Sequence, residues 1–115
     1  MLDIGPARKI IIHLNEDTPA RHDFLHTEVL SFLQAQGVSG ATLIRAAAGF
    51  GPHGHIHDID GAGAAHRHLP VRIEFIETRQ RIEALLPSLL ELVTDGIIEA
   101  HDTTILKIAV REVES

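Results

Sequence analysis

Short runs of apolar and β-branched residues predict four strands in this chain. The first run contains three consecutive isoleucines, which is typical of a buried strand, and the third alternates between apolar and polar positions. The predicted strands span residues 9–14, 41–46, 71–76 and 104–111. In the last strand the apolar Leu106, Ile108 and Val110 would face one way. Lys107 and Arg111 would face the other way.

Apolar residues recur at helical spacing in two further segments. The first segment, from Leu25 to Leu33, is followed by Gly37, and glycine is the residue type that most often stands just after a helix. The second segment runs from Ile82 to Val93 and ends before Gly96. Pro87 inside this segment should kink the helix, because proline has no backbone N–H to donate.

The predicted order of elements, β-α-β-β-α-β, is that of a ferredoxin-like α+β domain, in which an antiparallel four-stranded sheet carries two helices on one face. The opposite face of the sheet is left to water or to a partner. The second strand would expose one of two sets of residues, and both sets are small and largely apolar. They are Ala41, Leu43, Arg45 and Ala47, or Thr42, Ile44, Ala46 and Ala48. Because such a patch usually marks an interface, the pattern predicts oligomerisation through this face.

Composition narrows the class of protein. The 115 residues, of which 44% are hydrophobic, fit a single domain spanning residues 1–115. The chain contains no cysteine, so it offers no disulfide, no thiolate zinc site and no iron–sulfur cluster. No apolar run reaches the length of a membrane helix and no secretory signal is visible, so we expect a cytoplasmic protein without membrane insertion. The net charge of −6 argues against nucleic-acid partners.

Five of the nine histidines lie between the second and third predicted strands, in residues 50–68, which we call the histidine loop. They are His53, His55, His57, His66 and His68. A two-residue turn at positions 61–62 would set His57 opposite His66. The same register sets His55 opposite His68, and four imidazoles on one face of a hairpin would suit Zn, Ni or Cu. The pattern is equally that of a mobile ligand-sensing loop or of a solvated hairpin that binds nothing specific.

A second set of candidate residues suits an anionic ligand such as a nucleotide. Its members are Arg45, Gly49 and Gly51 at the base of the histidine loop and Lys107 and Arg111 on the last predicted strand. Cations attract phosphate groups, and glycine lets a backbone amide approach them closely. The alternative is that the glycines only permit a tight exit from the second strand and that the cations pair with surface carboxylates. The sequence leaves both explanations open.

Patterns of catalytic residues are not recognisable in the sequence. It has no Ser–His–acid or Cys–His arrangement, and the glycine patterns of Walker and Rossmann phosphate sites are absent. We therefore expect no catalytic residues and a protein that is not an enzyme.

Several short blocks give the chain a resemblance to a known family. They are QGVSGATLIR at residues 36–45, GFG at 49–51, IH at 56–57, LPV at 69–71, the acidic pair at 16–17 and LLP at 85–87. In this order and spacing they resemble the PII-like family known as domain of unknown function 190, over residues 8–110. The chain departs from the family pattern at Ala46, at Thr78 and in the Gly/Ala-rich residues 61–65.

The resemblance implies a homotrimer with the sheets turned inward, as in PII signalling proteins and CutA proteins. It also implies that the histidine loop corresponds to the T-loop of PII proteins, which changes shape when adenine nucleotides occupy the clefts between subunits and which docks onto a partner protein. We therefore expect a non-enzymatic regulatory protein that senses a small-molecule effector, with adenine nucleotides as the candidate ligands. The alternative is a CutA-like protein that binds a divalent metal through the loop histidines.

Overall fold

The computed structural model describes residues 2–50, 57–58 and 69–111, which form two helices and six strands. The strands are β1 (Gly5–Asn15), β2 (Thr42–Arg45), β3 (Ala48–Gly49), β4 (His57–Asp58), β5 (Pro70–Glu77) and β6 (Ile97–Ile105). The helices are α1 (Leu25–Ala35) and α2 (Arg79–Leu92). Neither helix in this described part of the chain is long and apolar enough to cross a membrane.

The main sheet has the strand order β2-β5-β1-β6, and each neighbouring pair is antiparallel. β3 and β4 form a separate two-stranded sheet at the start of the histidine loop. With α1 and α2 packed on one face, the main sheet confirms the predicted α+β, ferredoxin-like arrangement. The register between the two central strands sets Ile10 opposite Phe75 and Ile12 opposite Ile73, so their apolar side chains reach the same face.

The core lies between this sheet face and the two helices. Alternate residues of β1 and β5 supply the sheet side, and residues three or four apart supply the helix side. The buried core residues are Ile10, Ile12, Leu14, Leu25, Val29, Leu33, Val71, Ile73, Phe75, Ile82, Leu85 and Leu89. These buried residues have the same spacing as the apolar residues in the sequence pattern, so the predicted helices and central strands are confirmed.

The helix ends also follow from the sequence. After α1, Gly37 adopts a φ of +76°, and the N–H of Val38 donates to the carbonyl of Leu33 at 3.2 Å, which is the six-to-one hydrogen bond of a Schellman motif. At the start of α2, the Thr78 side chain accepts a hydrogen bond from the N–H of Arg81 at 3.3 Å. The helix α2 runs through Pro87 without a break.

The predicted position of the last strand is wrong. β6 covers Ile97–Ile105, and residues 106–111, which we call the C-terminal segment, have no regular secondary structure. The ladder with β1 decides the position of β6, because Ile97 pairs with His13 and Ile105 pairs with Gly5, the first residue of β1. Beyond that point β1 offers no further partner. The alternating pattern of the C-terminal segment therefore misled the sequence-based prediction.

The sheet face opposite the helices, which we call the open face, differs from the apolar patch that the sequence predicts. Of the two residue sets proposed for β2, the set with Ile44 lies on the open face, since Leu43 packs against the core. The open face also carries charges. Glu74 lies 3.0 Å from Arg72 and 3.5 Å from Lys9, measured between carboxylate oxygens and the side-chain nitrogens. A surface for a partner on this face is therefore partly polar.

Candidate ligand site at the base of the histidine loop

Both ends of the histidine loop are bonded to the main sheet. On the departing side, the N–H of Ala46 donates to the carbonyl of Pro70 at 2.9 Å. On the returning side, the N–H of Glu16 donates to the carbonyl of Leu69 at 2.9 Å, and Leu69 is buried. Gly49 has a φ of +157°, and a Cβ there would lie 3.1 Å from Cγ of Pro70. Glycine is thus favoured at this exit from the sheet by its backbone conformation and by the close approach of Pro70.

Two adjoining cavities open on the open face beside these anchors, with volumes of about 240 and 350 Å³. We call them together the loop-base groove. The described residues that line it are His13, Leu14, Asn15, Ile44, Ala46, Phe50, Pro70, Val71, Arg72, Asp95, Gly96, Ile97 and Glu99. Most of its wall is apolar and a few charged side chains converge on it, which is the usual composition of a small-molecule site.

One carboxylate at the groove joins two imidazoles. Glu99 accepts a hydrogen bond at 2.5 Å from Nε2 of His13, and its other oxygen accepts one from Nε2 of His101. The three residues lie on the neighbouring strands β1 and β6 and share the open face, so strand geometry holds them together. These hydrogen bonds, first that from His13 and then that from His101, lower the pKa of Glu99 below its ordinary value of 4.5.

The lowered pKa of Glu99 predicts a specific acid sensitivity. A carboxylate with a lowered pKa in the folded state stabilises the fold above about pH 4.5, and this contribution disappears as the pH falls through the lower folded value. Wild-type protein should therefore lose stability more steeply than Glu99→Gln as the pH falls below about 4.5, in urea unfolding followed by circular dichroism. Glu91→Gln on the exposed surface of α2 is the control and should retain the wild-type slope. If the stability of wild type and that of Glu99→Gln fell equally with decreasing pH, the prediction would be contradicted.

The residues proposed from sequence for an anionic ligand do not meet within one subunit. Arg45 ends β2 beside the groove, and its guanidinium donates to Glu16 Oε1, so its charge is already paired. Lys107 and Arg111 lie in the C-terminal segment, beyond the opposite end of the sheet and at its opposite edge. Since β6 has nine residues, the two ends are roughly 25 Å apart. Gly51 lies outside the described residues.

The proposed metal ligands fall mainly outside the part of the chain that the structure describes. His53, His55, His66 and His68 are not among the described residues. The backbone of His57 belongs to β4 and pairs with Gly49, whereas the predicted pairing with His66 lies outside the described residues. Within residues 2–50 and 69–111, no group of three His, Asp or Glu side chains is arranged to hold a metal ion.

Sequence reasoning missed the polar residues of the groove. It gave no role to His13, His101 or Glu99. The contact between Glu99 and His13 was not predicted because the last strand was placed at residues 104–111. The two residues meet because β6 begins at Ile97. An alternation of Glu99, His101 and Thr103 along one strand face was the available signal.

Two solved structures of PII-like proteins share this architecture. The chain is similar to CPII, a nitrogen regulatory PII-like protein from Thiomonas intermedia K12 whose structure was solved with ADP, AMP and bicarbonate, at 20% identity and a TM-score of 0.67, over 93% of this chain and 94% of that one. It is also similar to a candidate PII-like signaling protein from Thermus thermophilus, at 17% identity and a TM-score of 0.65, over 91% of this chain and 94% of that one. The fold is that of PII-like proteins.

The family follows from sequence comparison. The model of the family DUF190 (domain of unknown function 190), described as uncharacterized ACR, matches residues 7–105. The UPF0166 protein MJ1524 of Methanocaldococcus jannaschii is 28% identical over 103 residues, which cover 88% of this chain and 93% of that protein. The chain belongs to the DUF190 family, as the short blocks in its sequence predict.

Proposed function

We propose that this chain is a cytoplasmic, non-enzymatic PII-like regulator that binds an adenine nucleotide at the loop-base groove and signals through the histidine loop. The observation that carries the proposal is the position of the groove. It lies where both ends of the loop are bonded to the sheet, so a ligand there contacts the anchors of the loop directly. A ligand that binds one loop conformation better than another shifts the population of that conformation.

The lining of the groove is consistent with a nucleoside. Phe50, Ile44 and Pro70 offer apolar surface for a base, and Phe50 is 66% exposed, so its ring is available for stacking. His13 and Glu99 offer a donor and an acceptor for ribose hydroxyls or base edges.

The phosphates of the nucleotide need unpaired cations, and the described residues of one subunit bring none to the groove. Arg45 is paired with Glu16, and Arg72 is paired with Glu74. Lys107 and Arg111 are exposed, and the structure of the described residues gives them no ion pair. We therefore propose a homotrimer in which the C-terminal segment of one subunit supplies these cations to the groove of the next. The fold shared with CPII, which was solved with ADP and AMP, supports this choice of ligand.

Isothermal titration with ATP, ADP, AMP and cyclic AMP tests the proposal. Removing one charge-assisted contact costs about 1.5–3 kcal/mol, so Lys107→Ala and Arg111→Ala should each weaken nucleotide affinity roughly ten- to hundredfold. Arg21→Ala is the matched control, because it removes the same charge from an exposed position on the helix side and should leave affinity unchanged. Affinity should also fall as salt rises, because the ligand is charged.

Three outcomes would contradict this function. If none of the four nucleotides binds at millimolar concentration, the groove has another ligand. If Arg21→Ala weakens binding as much as Lys107→Ala does, the attraction arises from overall charge and not from a site. If the purified protein sedimented as a monomer at micromolar concentration, both the trimer and a groove completed by a second subunit would be contradicted.

A further inference from the structure

One ion pair spans the end of the main sheet at which the histidine loop leaves and returns. Arg45 is the last residue of β2, and Glu16 directly follows the last residue of β1. The guanidinium of Arg45 donates to Oε1 of Glu16. Because the strand order is β2-β5-β1, this contact reaches across the start of β5, the strand to which the histidine loop returns. We call this ion pair the clasp.

The clasp lies on the helix side of the sheet, opposite the loop-base groove. Arg45 pairs in register with the core residue Val71, and so does Leu14, which is two residues before Glu16. The hydrogen bond from the N–H of Glu16 to the carbonyl of Leu69 continues the ladder of β1 with β5 by one residue. Since side chains alternate along a strand, Arg45 and Glu16 share the core face.

Leu69 lies on this same face, between the two charged residues. It is 1% exposed, although it does not belong to the core cluster formed by the central strands and the helices in the described part of the chain. Its burial is therefore a local property of the sheet end. A change in the clasp can alter the surroundings of Leu69 without unfolding the core.

The two partners of the clasp depend on it unequally. The side chain of Glu16 is 16% exposed, whereas that of Arg45 is 54% exposed. Oε2 of Glu16 is buried and accepts no hydrogen bond from the described residues, so the compensation of this carboxylate rests on a single contact. Arg45 lies between Ile44 and Ala46, which both line the loop-base groove. An anionic ligand in the groove is thus a competing partner for Arg45.

We propose that the clasp is the two-state element through which a phosphate-bearing ligand in the loop-base groove acts on the returning end of the histidine loop. The phosphate takes Arg45 from Glu16, Glu16 turns towards water, and the hydrogen bond from its N–H to Leu69 opens. A phosphate can accept two parallel hydrogen bonds from a guanidinium, whereas Glu16 accepts through one oxygen. The inference rests on the proposed function and specifies how binding at that site is regulated.

Amide hydrogen exchange of the protein without nucleotide tests the clasp itself. Arg45→Ala should raise the exchange rate of the amide at position 16 roughly three- to tenfold, a modest effect because Arg45 is half exposed. Arg45→Lys keeps the charge and should retain most of the protection. The amide of Ile73 in the core should be unaffected in both variants. Arg79→Ala is the matched control, because it removes an arginine from an exposed position on α2, and it should leave position 16 unchanged.

Titration with ADP tests the exchange of partners. Glu16→Gln keeps the size of the side chain and removes the competing charge, so it should raise ADP affinity about three- to tenfold, whereas Arg45→Ala should lower it. Glu91→Gln removes the same charge from an exposed position on α2 and should change the affinity less than twofold. Saturating ADP should raise the exchange rate of the position 16 amide in wild type. A ligand that only rigidified the protein would lower it.

The outcomes separate the clasp from the proposed function. If ADP binds but Glu16→Gln leaves its affinity unchanged or lowers it, the inference is overturned and the proposed function stands. The same holds if ADP slows exchange at position 16, or if Arg45→Ala exchanges there as slowly as wild type. If no adenine nucleotide binds at millimolar concentration, the function and the inference are both contradicted. Circular dichroism and thermal melting should show that every variant is folded.

Discussion

Replacing Gly96 by alanine should destabilise the fold by about 2–5 kcal/mol, the largest effect that we expect from a single methyl group in this protein. Gly96 joins α2 to β6 with a φ of +151°, a conformation that L-residues rarely adopt. A Cβ there would overlap the carbonyl oxygen of His13 and lie 2.7 Å from Cδ2 of Leu14. Because the first obstacle is backbone of the sheet, a side-chain rotation cannot relieve the clash.

Gly40→Ala is the matched control for this measurement. Gly40 is exposed, and a Cβ there would meet no heavy atom within 4 Å. The control should change the free energy of unfolding by less than about 1 kcal/mol, and an alanine there can even stabilise by restricting the unfolded chain. Urea unfolding of both variants gives the comparison. Equal stability losses at the two glycines would show that the turn before β6 can shift without cost, contrary to the prediction.

Glu77→Ala should cost about 1.5–3 kcal/mol, because it removes hydrogen bonds that a buried carboxylate makes. Glu77 is 1% exposed, and its Oε1 accepts hydrogen bonds from the N–H of Ser39 at 3.0 Å and from the Ser39 hydroxyl at 3.2 Å. Arg81 lies four residues further along the chain, in α2, and its Nε is 4.0 Å from Oε2 of Glu77. These contacts tie the chain that leads into β2 to the end of β5.

Two variants separate the buried hydrogen bonds from a general effect of charge. Glu77→Gln keeps a side-chain oxygen that can accept from Ser39, so it should lose less stability than Glu77→Ala. Glu83→Ala removes a carboxylate from an exposed position on α2 and should stay within about 0.5 kcal/mol of wild type. Thermal and urea unfolding check both. If Glu77→Ala lost no more stability than Glu83→Ala, hydrogen bonds from Ser39 to water would replace those to Glu77 without a net cost, contrary to the prediction.

Local pattern was sufficient for the helices and the two central strands. The run from Lys9 to Leu14 and the alternation from Val71 to Phe75 are confirmed as β1 and β5, because the apolar residues of each strand are buried in the core. The helix α1 is confirmed together with Gly37 as its end. In these elements a short stretch of sequence contains the full periodicity of the buried face.

The candidate site was only partly predictable. Arg45 and Gly49 lie at the base of the histidine loop, as the sequence indicates, but the structure shows Arg45 paired with Glu16 and Gly49 packed against Pro70. Contacts between residues that lie 20 to 30 positions apart along the chain cannot be inferred from a local sequence pattern. The contact between His13 and Glu99 joins residues 86 positions apart and depends on the register of β1 with β6.

The sequence by itself determined the fold class, the family and the elements whose hydrophobic period is complete within a few residues, because those features depend on local spacing and on short blocks of residues. Only the tertiary structure decided where β6 lies, which face of β2 is open and which charges are already paired. These features depend on contacts between distant parts of the chain. The C-terminal segment shows the difference most clearly. Its sequence has the alternation of a strand, but it extends past Gly5, the first residue of β1, and therefore has no residue of β1 opposite it. A strand forms only where a partner strand supplies the other half of its hydrogen bonds.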